Sequence, residues 1–300
     1  MRLSVRSLPA PLVLIFVSGW LAAGCDVTVG VHSDGLKYVE REKRDFQVSG
    51  TPDIVLSTFD GAIEIRAWDR SEVSIEIEKR GPNKQAVDQI EVKATQSGNR
   101  ITLEVRHPDE GTHFGFSISR SARLIASVPR QANVDAHSGD GAIEIERVTG
   151  KAKLDTGDGG VKVTETGGEL RAHTGDGTIT FDRVDGRIDA DTGDGSITAD
   201  GRLEGVRLRT GDGSIHVRAG AGSKMADDWD IHSGDGSVTI DVPEPFDADL
   251  DARTGDGNIS VSSLTVKGEL SKRSVRGQIG AGGRILRVTT GDGGITITRS

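Results

Sequence analysis

Thr174-Gly175-Asp176-Gly177-Thr178-Ile179-Thr180-Phe181-Asp182-Arg183-Val184-Asp185-Gly186-Arg187-Ile188-Asp189-Ala190-Asp191 is one full period of this 300-residue chain, and Thr192-Gly193-Asp194-Gly195 opens the next. β-Branched and polar residues alternate within it, with glycines at both breaks. That is the pattern of short strands that bury one face. Each period therefore holds two strands and two turns. The Thr/Ser-Gly-Asp-Gly unit begins at Ser138, Thr156, Thr174, Thr192, Thr210, Ser233, Thr254 and Thr290. The first five copies are evenly spaced, each as far from the next as Ser138 is from Thr156, and the later intervals are longer. A unit this small cannot bury its own apolar face, so it must stack on its neighbours.

The reading is an all-β chain: a parallel β-solenoid of about 18-residue two-strand coils with a wider, irregular N-terminal β region. Stacked at about 4.8 Å per coil, the nine coils from residue 138 onward make a rod of roughly 40 Å. Leu154, Leu170, Ile188 and Leu208 are expected in one internal column and Ala172 and Ala190 in another. By parity Thr156, Thr174, Thr192 and Thr210 face inward as a third. Ser274-Val275-Arg276-Gly277 stands where a degenerate ninth copy belongs. The inward residues do not fall on a six-residue period, which disfavours a hexapeptide acyltransferase helix. The second turn (Val-Thr-Gly or Val-Asp-Gly) lacks the ligands of a calcium β-roll.

Arg2, Arg6 and the apolar run Leu12–Leu21 lead to Ala22-Ala23-Gly24-Cys25, a lipoprotein-type signal over residues 1–24. The run is too short for a comfortable membrane span. Cys25, the only cysteine, is the expected lipidation site and the link to the membrane. Intrachain disulfides are excluded. Residues 25–44 read as a polar tether, 45–135 as irregular coils and a cap, and 136–300 as the regular solenoid. The net charge of −9 becomes −11 once Arg2 and Arg6 leave with the signal, which argues against nucleic acid as a partner.

Ser127-Val128-Pro129-Arg130 leading into Asn133-Val134-Asp135-Ala136-His137-Ser138-Gly139-Asp140-Gly141, with serial Thr-Gly-Asp-Gly turns downstream, resembles the bacterial putative-adhesin β-strand-repeat family. The resemblance covers residues 46–300. It implies a β-solenoid on exported, membrane-anchored proteins of the cell envelope, and it carries no catalytic residue.

Two surface columns bear chemistry. Asp140, Asp158, Asp176, Asp194, Asp212, Asp235, Asp256 and Asp292 recur once per coil. Stacked carboxylates suit calcium. The competing reading makes Gly157-Asp158-Gly159, Gly175-Asp176-Gly177 and Gly193-Asp194-Gly195 structural turns, with each Asp bonded to its own backbone and the glycines at positive φ. His137, Asp155 and His173 begin the second column, which continues through Asp191, Arg209, His232, Arg253 and Arg273. Any bridging metal would sit on its first three members. The weight of the pattern falls on structural turns, with no metal and no cofactor. No nucleophilic triad, phosphate loop or paired catalytic acids stand out. The function expected is non-enzymatic: an envelope adhesin, scaffold or binding module whose partner is a protein or polysaccharide. The alternatives are a metal-binding solenoid and a carbohydrate-active β-helix. The C-terminal strand, ending at Ser300, is the expected route to end-to-end self-association.

Overall fold

The computed structural model describes residues 25–31, 38–107 and 120–300. The signal expected over residues 1–24 lies outside the described residues. The N-terminal part contains β1 (Cys25–Val31), β2 (Tyr38–Gln47), β3 (Asp53–Thr58), β4 (Ile63–Trp68), β5 (Glu72–Gly81), α1 (Lys84–Asp88), β6 (Glu91–Ser97), β7 (Arg100–Arg106) and β8 (Ser121–Pro129). The regular repeats give β9 (Asn133–Ser138), β10 (Ile143–Glu146), β11 (Thr149–Thr156), β12 (Val161–Thr164), β13 (Gly167–Thr174), β14 (Ile179–Thr192), β15 (Ile197–Thr210) and β16 (Ile215–Ala219). The last third gives β17 (Trp229–Ser233), β18 (Val238–Val242), β19 (Ala248–Thr254), β20 (Ile259–Ser262), β21 (Val266–Leu270), β22 (Ser274–Ile279), β23 (Ile285–Thr290) and β24 (Ile295–Arg299). The fold is all-β.

Two ladders of parallel strands face each other across the core. In the first, Ser138, Thr156, Thr174, Thr192 and Thr210 align on successive strands β9, β11, β13, β14 and β15. In the second, Ile143, Val161, Ile179, Ile197 and Ile215 align on β10, β12, β14, β15 and β16. Every one of these steps advances the chain by the same one period. All these residues are buried.

The internal columns differ from expectation. Leu154 stacks on Ala172, then Ala190 and Leu208, while Ala152 stacks on Leu170, Ile188 and Val206. Leu170 lies four residues before its motif threonine and Leu154 two, so they occupy different columns. Each coil from 152 to 190 thus pairs one large with one small side chain, which keeps the volume of a layer nearly constant.

The motif corner is held by its hydroxyl. Thr174 Oγ1 donates to Gly159 O of the preceding coil at 2.8 Å and accepts from Gly177 N–H at 3.2 Å. Thr192 and Thr210 donate in the same way to Gly177 O and Gly195 O at 3.0 and 2.8 Å. Positive φ was the expected reason for the motif glycines, and it does not hold at Gly157, Gly159, Gly175, Gly177, Gly193 or Gly195. The reason is close approach: a Cβ on Gly177 would lie 2.1 Å from Gly159 O and 2.8 Å from Thr174 Oγ1. Left-handed backbone belongs to the second corner, at Arg147, Glu165 and Arg183 (φ 60°, 50° and 53°) and at Gly150, Gly168 and Gly186.

Chain order and spatial order part company at both ends. The coil β3–β4 lies between β7–β8 and β9–β10, so the ladder runs unbroken across the boundary expected at residue 135. At the other end β23–β24 lies between β17–β18 and β19–β20. The C-terminal strand is therefore interior, and end-to-end association cannot run through it. The strand that occupies the edge is β20, whose one strand partner among the described residues is β24. The Ile259 N–H on its open side donates to Lys272 O at 2.8 Å. Ser274–Gly277 is likewise no turn. It lies in β22, antiparallel to β19, with Arg276 beside Asp251 at 3.4 Å.

The expected tether is strand as well. Both β1 with β2 and β2 with β5 are antiparallel pairs. The charges that read as a solvated linker form a cross-strand ladder: Lys79 Nζ meets Glu40 at 2.9 Å, and Arg41 Nε donates to Glu78 at 2.7 Å. Trp229 plugs the insertion before β17, fully buried, 5.4 Å from the Phe246 ring and donating to Glu204 O at 3.4 Å.

Candidate functional site

Asp140, Asp158, Asp176, Asp194 and Asp212 project one per coil from the motif corner, and all are exposed. Spatial order extends the row through Asp235 and Asp292 to Asp256, because β23 sits between β17 and β19. Asp256 ends it in a 2.7 Å ion pair with Arg273. The expected bonds from each carboxylate to its own turn are not made at these first five positions, because the Thr/Ser hydroxyl satisfies the corner instead. One monodentate carboxylate per coil is a sparse set for a cation that takes six to eight oxygens. Among the described residues no three His, Cys, Asp or Glu side chains gather as a metal-binding group.

His137, Asp155, His173, Asp191, Arg209 and His232 align in one outward column, as parity required. Its next member is Thr289, which bonds His232 Nδ1 at 2.8 Å, and Arg253 follows it. Arg273 is not on a strand of this column. The alternation gives cross-strand pairing between His173 Nδ1 and Asp191 Oδ1, 3.4 Å apart, while Asp155 is reached at 2.8 Å by Lys153 of its own strand. Cys25 is the first residue of β1 and aligns with Arg44.

A concave feature emerges that sequence reasoning did not single out. Three hollows, of about 400, 290 and 660 Å³, adjoin on the outer face and second corner of the first ladder. The first and second share Glu169 and Arg171, and the third joins them through Lys151 and Arg187. Together they form one trough along the stacking direction. Its floor is formed by strand residues whose side chains are buried, among them Ile54, Val134, Ala152, Leu170 and Ile188. The signal was present in the outward positions Lys151, Glu169 and Arg187 and Lys153, Arg171 and Asp189, which recur with the period of the coil.

Ion pairing favours the charged form of four side chains in the trough. Lys153 is raised by its hydrogen bond to Asp155, and Arg187 by its bond to Asp227, which is lowered in turn by Arg187. Arg202 is raised by Asp185, which it meets at 2.5 Å. Each resolved shift in the trough favours the charged form, which is the signature of ion pairing and not of an acid or base poised near neutrality.

Residues 52–298 match the Toastrack DUF4097 family, and the chain belongs to it. No curated protein matches the chain in sequence. Solved structures resemble it at low identity. A protein described as a putative adhesin from Bacteroides fragilis is 12% identical with a TM-score of 0.41, covering 87% of this chain and 97% of its own. One similarly described from Parabacteroides distasonis is 12% identical at a TM-score of 0.35, covering 88% and 98%. A third, described as a putative lipid binding protein from the same species, is 12% identical at 0.34, covering 87% and 96%. Among the described residues no helix is long and apolar enough to cross a membrane.

Proposed function

We propose that this chain is a non-enzymatic parallel β-solenoid of the bacterial cell envelope, anchored through a lipid on Cys25 and serving as an adhesin or scaffold module. The observation that carries the reading is the pair of continuous ladders. Parallel strands recurring once per coil build a stiff body with a long, uninterrupted outer surface. Bodies of this type work through extended surfaces and not through a single enclosed pocket. The ion-paired state of the shifted groups supports binding over catalysis. The Ala22-Ala23-Gly24-Cys25 sequence after an apolar run supports export and lipidation. The anchor would then lie beside β1, at the β2–β5 end of the stack, leaving the remaining coils to project from the membrane.

Membrane fractionation of cells expressing wild type and Cys25→Ser tests the anchor, with wild type expected in the membrane and the variant released or unprocessed. Equal retention and identical processing overturn the lipid. Incubation of the released chain with whole envelope fractions tests binding. Retention on the envelope is expected, and its absence overturns the module.

A further inference from the structure

We infer that the trough on the first ladder binds a linear, uncharged, 1,4-linked polysaccharide lying along the stacking direction. The inference rests on the binding-module reading and narrows it to one class of ligand.

Shape is the first argument. The outer face of the trough runs from Arg100 on β7 to Arg207 on β15. Between them lie β3, β9, β11, β13 and β14, so the span is six strand-to-strand steps of about 4.8 Å, roughly 29 Å. It is open at the top, which admits a polymer sideways and excludes nothing by length.

Charge is the second. Six cationic and six anionic side chains line the two hollows on the strand face, although the whole chain carries −9. A polyanion or a polycation would meet as much repulsion as attraction along such a lining. A neutral polyol meets neither. Its hydroxyls both donate and accept, and adjacent planar carboxylates, carboxamides and guanidinium groups offer donors and acceptors side by side. The side chains of Asp189 and Arg207 occupy neighbouring strands of the trough and have no hydrogen-bond or ion-pair partner among the described residues.

Period is the third. An extended peptide presents like-facing residues every 6.6 Å or so, out of step with coils about 4.8 Å apart. An extended β-1,4-linked pyranose chain advances by nearly one coil per sugar with each ring turned over relative to the last, so every second ring meets equivalent positions two coils on. The floor strands turn their apolar side chains inward, as at Ile54, Ala152 and Leu170, so a ring lies against backbone and the bases of the flanking charged side chains. No aromatic side chain lines the hollows, so each sugar is held weakly and affinity accumulates with length.

Titration calorimetry of the full chain with cellohexaose, chitohexaose and their trimers tests this. Binding of at least one hexamer is expected, about tenfold tighter than its trimer and little changed from low to high salt. Asp189→Ala combined with Arg207→Ala should lose about tenfold in affinity at unchanged melting temperature. Arg218→Ala, on the second ladder, should lose none. Failure of both hexamers to bind, full binding by the double variant, or binding abolished by salt overturns the inference. If envelope fractions still retain the chain when the hexamers do not bind, the glycan assignment falls and the binding-module reading stands.

Discussion

The Thr174 hydroxyl ties its own turn to the coil below, giving one bond to Gly159 O and taking one from Gly177 N–H. Thr174→Val keeps shape and strands both partners, so a loss of about 1–3 kcal/mol in unfolding free energy is expected by denaturant titration. Asp176→Asn should stay within about 0.5 kcal/mol, since the carboxylate is exposed and bonds nothing in its turn. Chelator should leave both melting temperatures in place. Gly177→Ala should cost more than either, because its Cβ would meet the backbone of the neighbouring coil. Parity alone made the threonine's direction legible. The glycine's reason was not, because a 2.1 Å approach to another coil depends on how closely two turns stack and leaves no mark within one turn. Glu78 gives a pH prediction. Burial pushes its carboxyl up, but hydrogen bonds and charge from Arg80 and Arg41 outweigh that and hold it below its ordinary 4.5. A carboxyl lowered in the folded state stabilises the fold above its unfolded value and loses that contribution as pH falls through the folded one. Glu78→Gln should therefore lower the melting temperature at neutral pH, and the gap to wild type should narrow as the solution is acidified below about 4.5.

At the scale of elements, β24 is the strand whose position decides most. It pairs with β18 on one side and β20 on the other, and β23 does the same between β17 and β19. Removing residues 285–300 would not trim an end; it would take a layer out of the stack. Such a truncation should unfold β19–β22 together with the missing coil, seen as amide exchange over residues 248–279 far faster than over 150–210. Protection of 248–279 at the wild-type level would show that the coil is dispensable. The strands themselves were readable from their alternation. Their order was not: the copies are alike, so nothing in one copy says which other copy will be its neighbour. The charged stretch Glu40-Arg41-Glu42-Lys43-Arg44 misled for a related reason, because its partners Glu76, Glu78 and Lys79 lie on β5, beyond two intervening strands of the chain.

For the whole molecule, charge is unevenly distributed. A row of exposed carboxylates marks the motif corner, while the trough on the adjacent face is balanced in sign. That contrast could not be read from net charge, which averages over both surfaces. It became visible once the register between coils placed Lys153, Arg171, Asp189 and Arg207 in a single column. The placement of the last coil also fixes when the protein can be complete. A chain is synthesised from its N-terminus, so β17–β18 and β19–β20 both emerge before the residues that belong between them. Until Arg299 arrives, β18 and β20 each expose a bare strand edge, and a prematurely stopped product would keep both. Closure of the stack therefore waits for β24, and a protease that recognises open strand edges could tell closed molecules from unclosed ones by that mark alone.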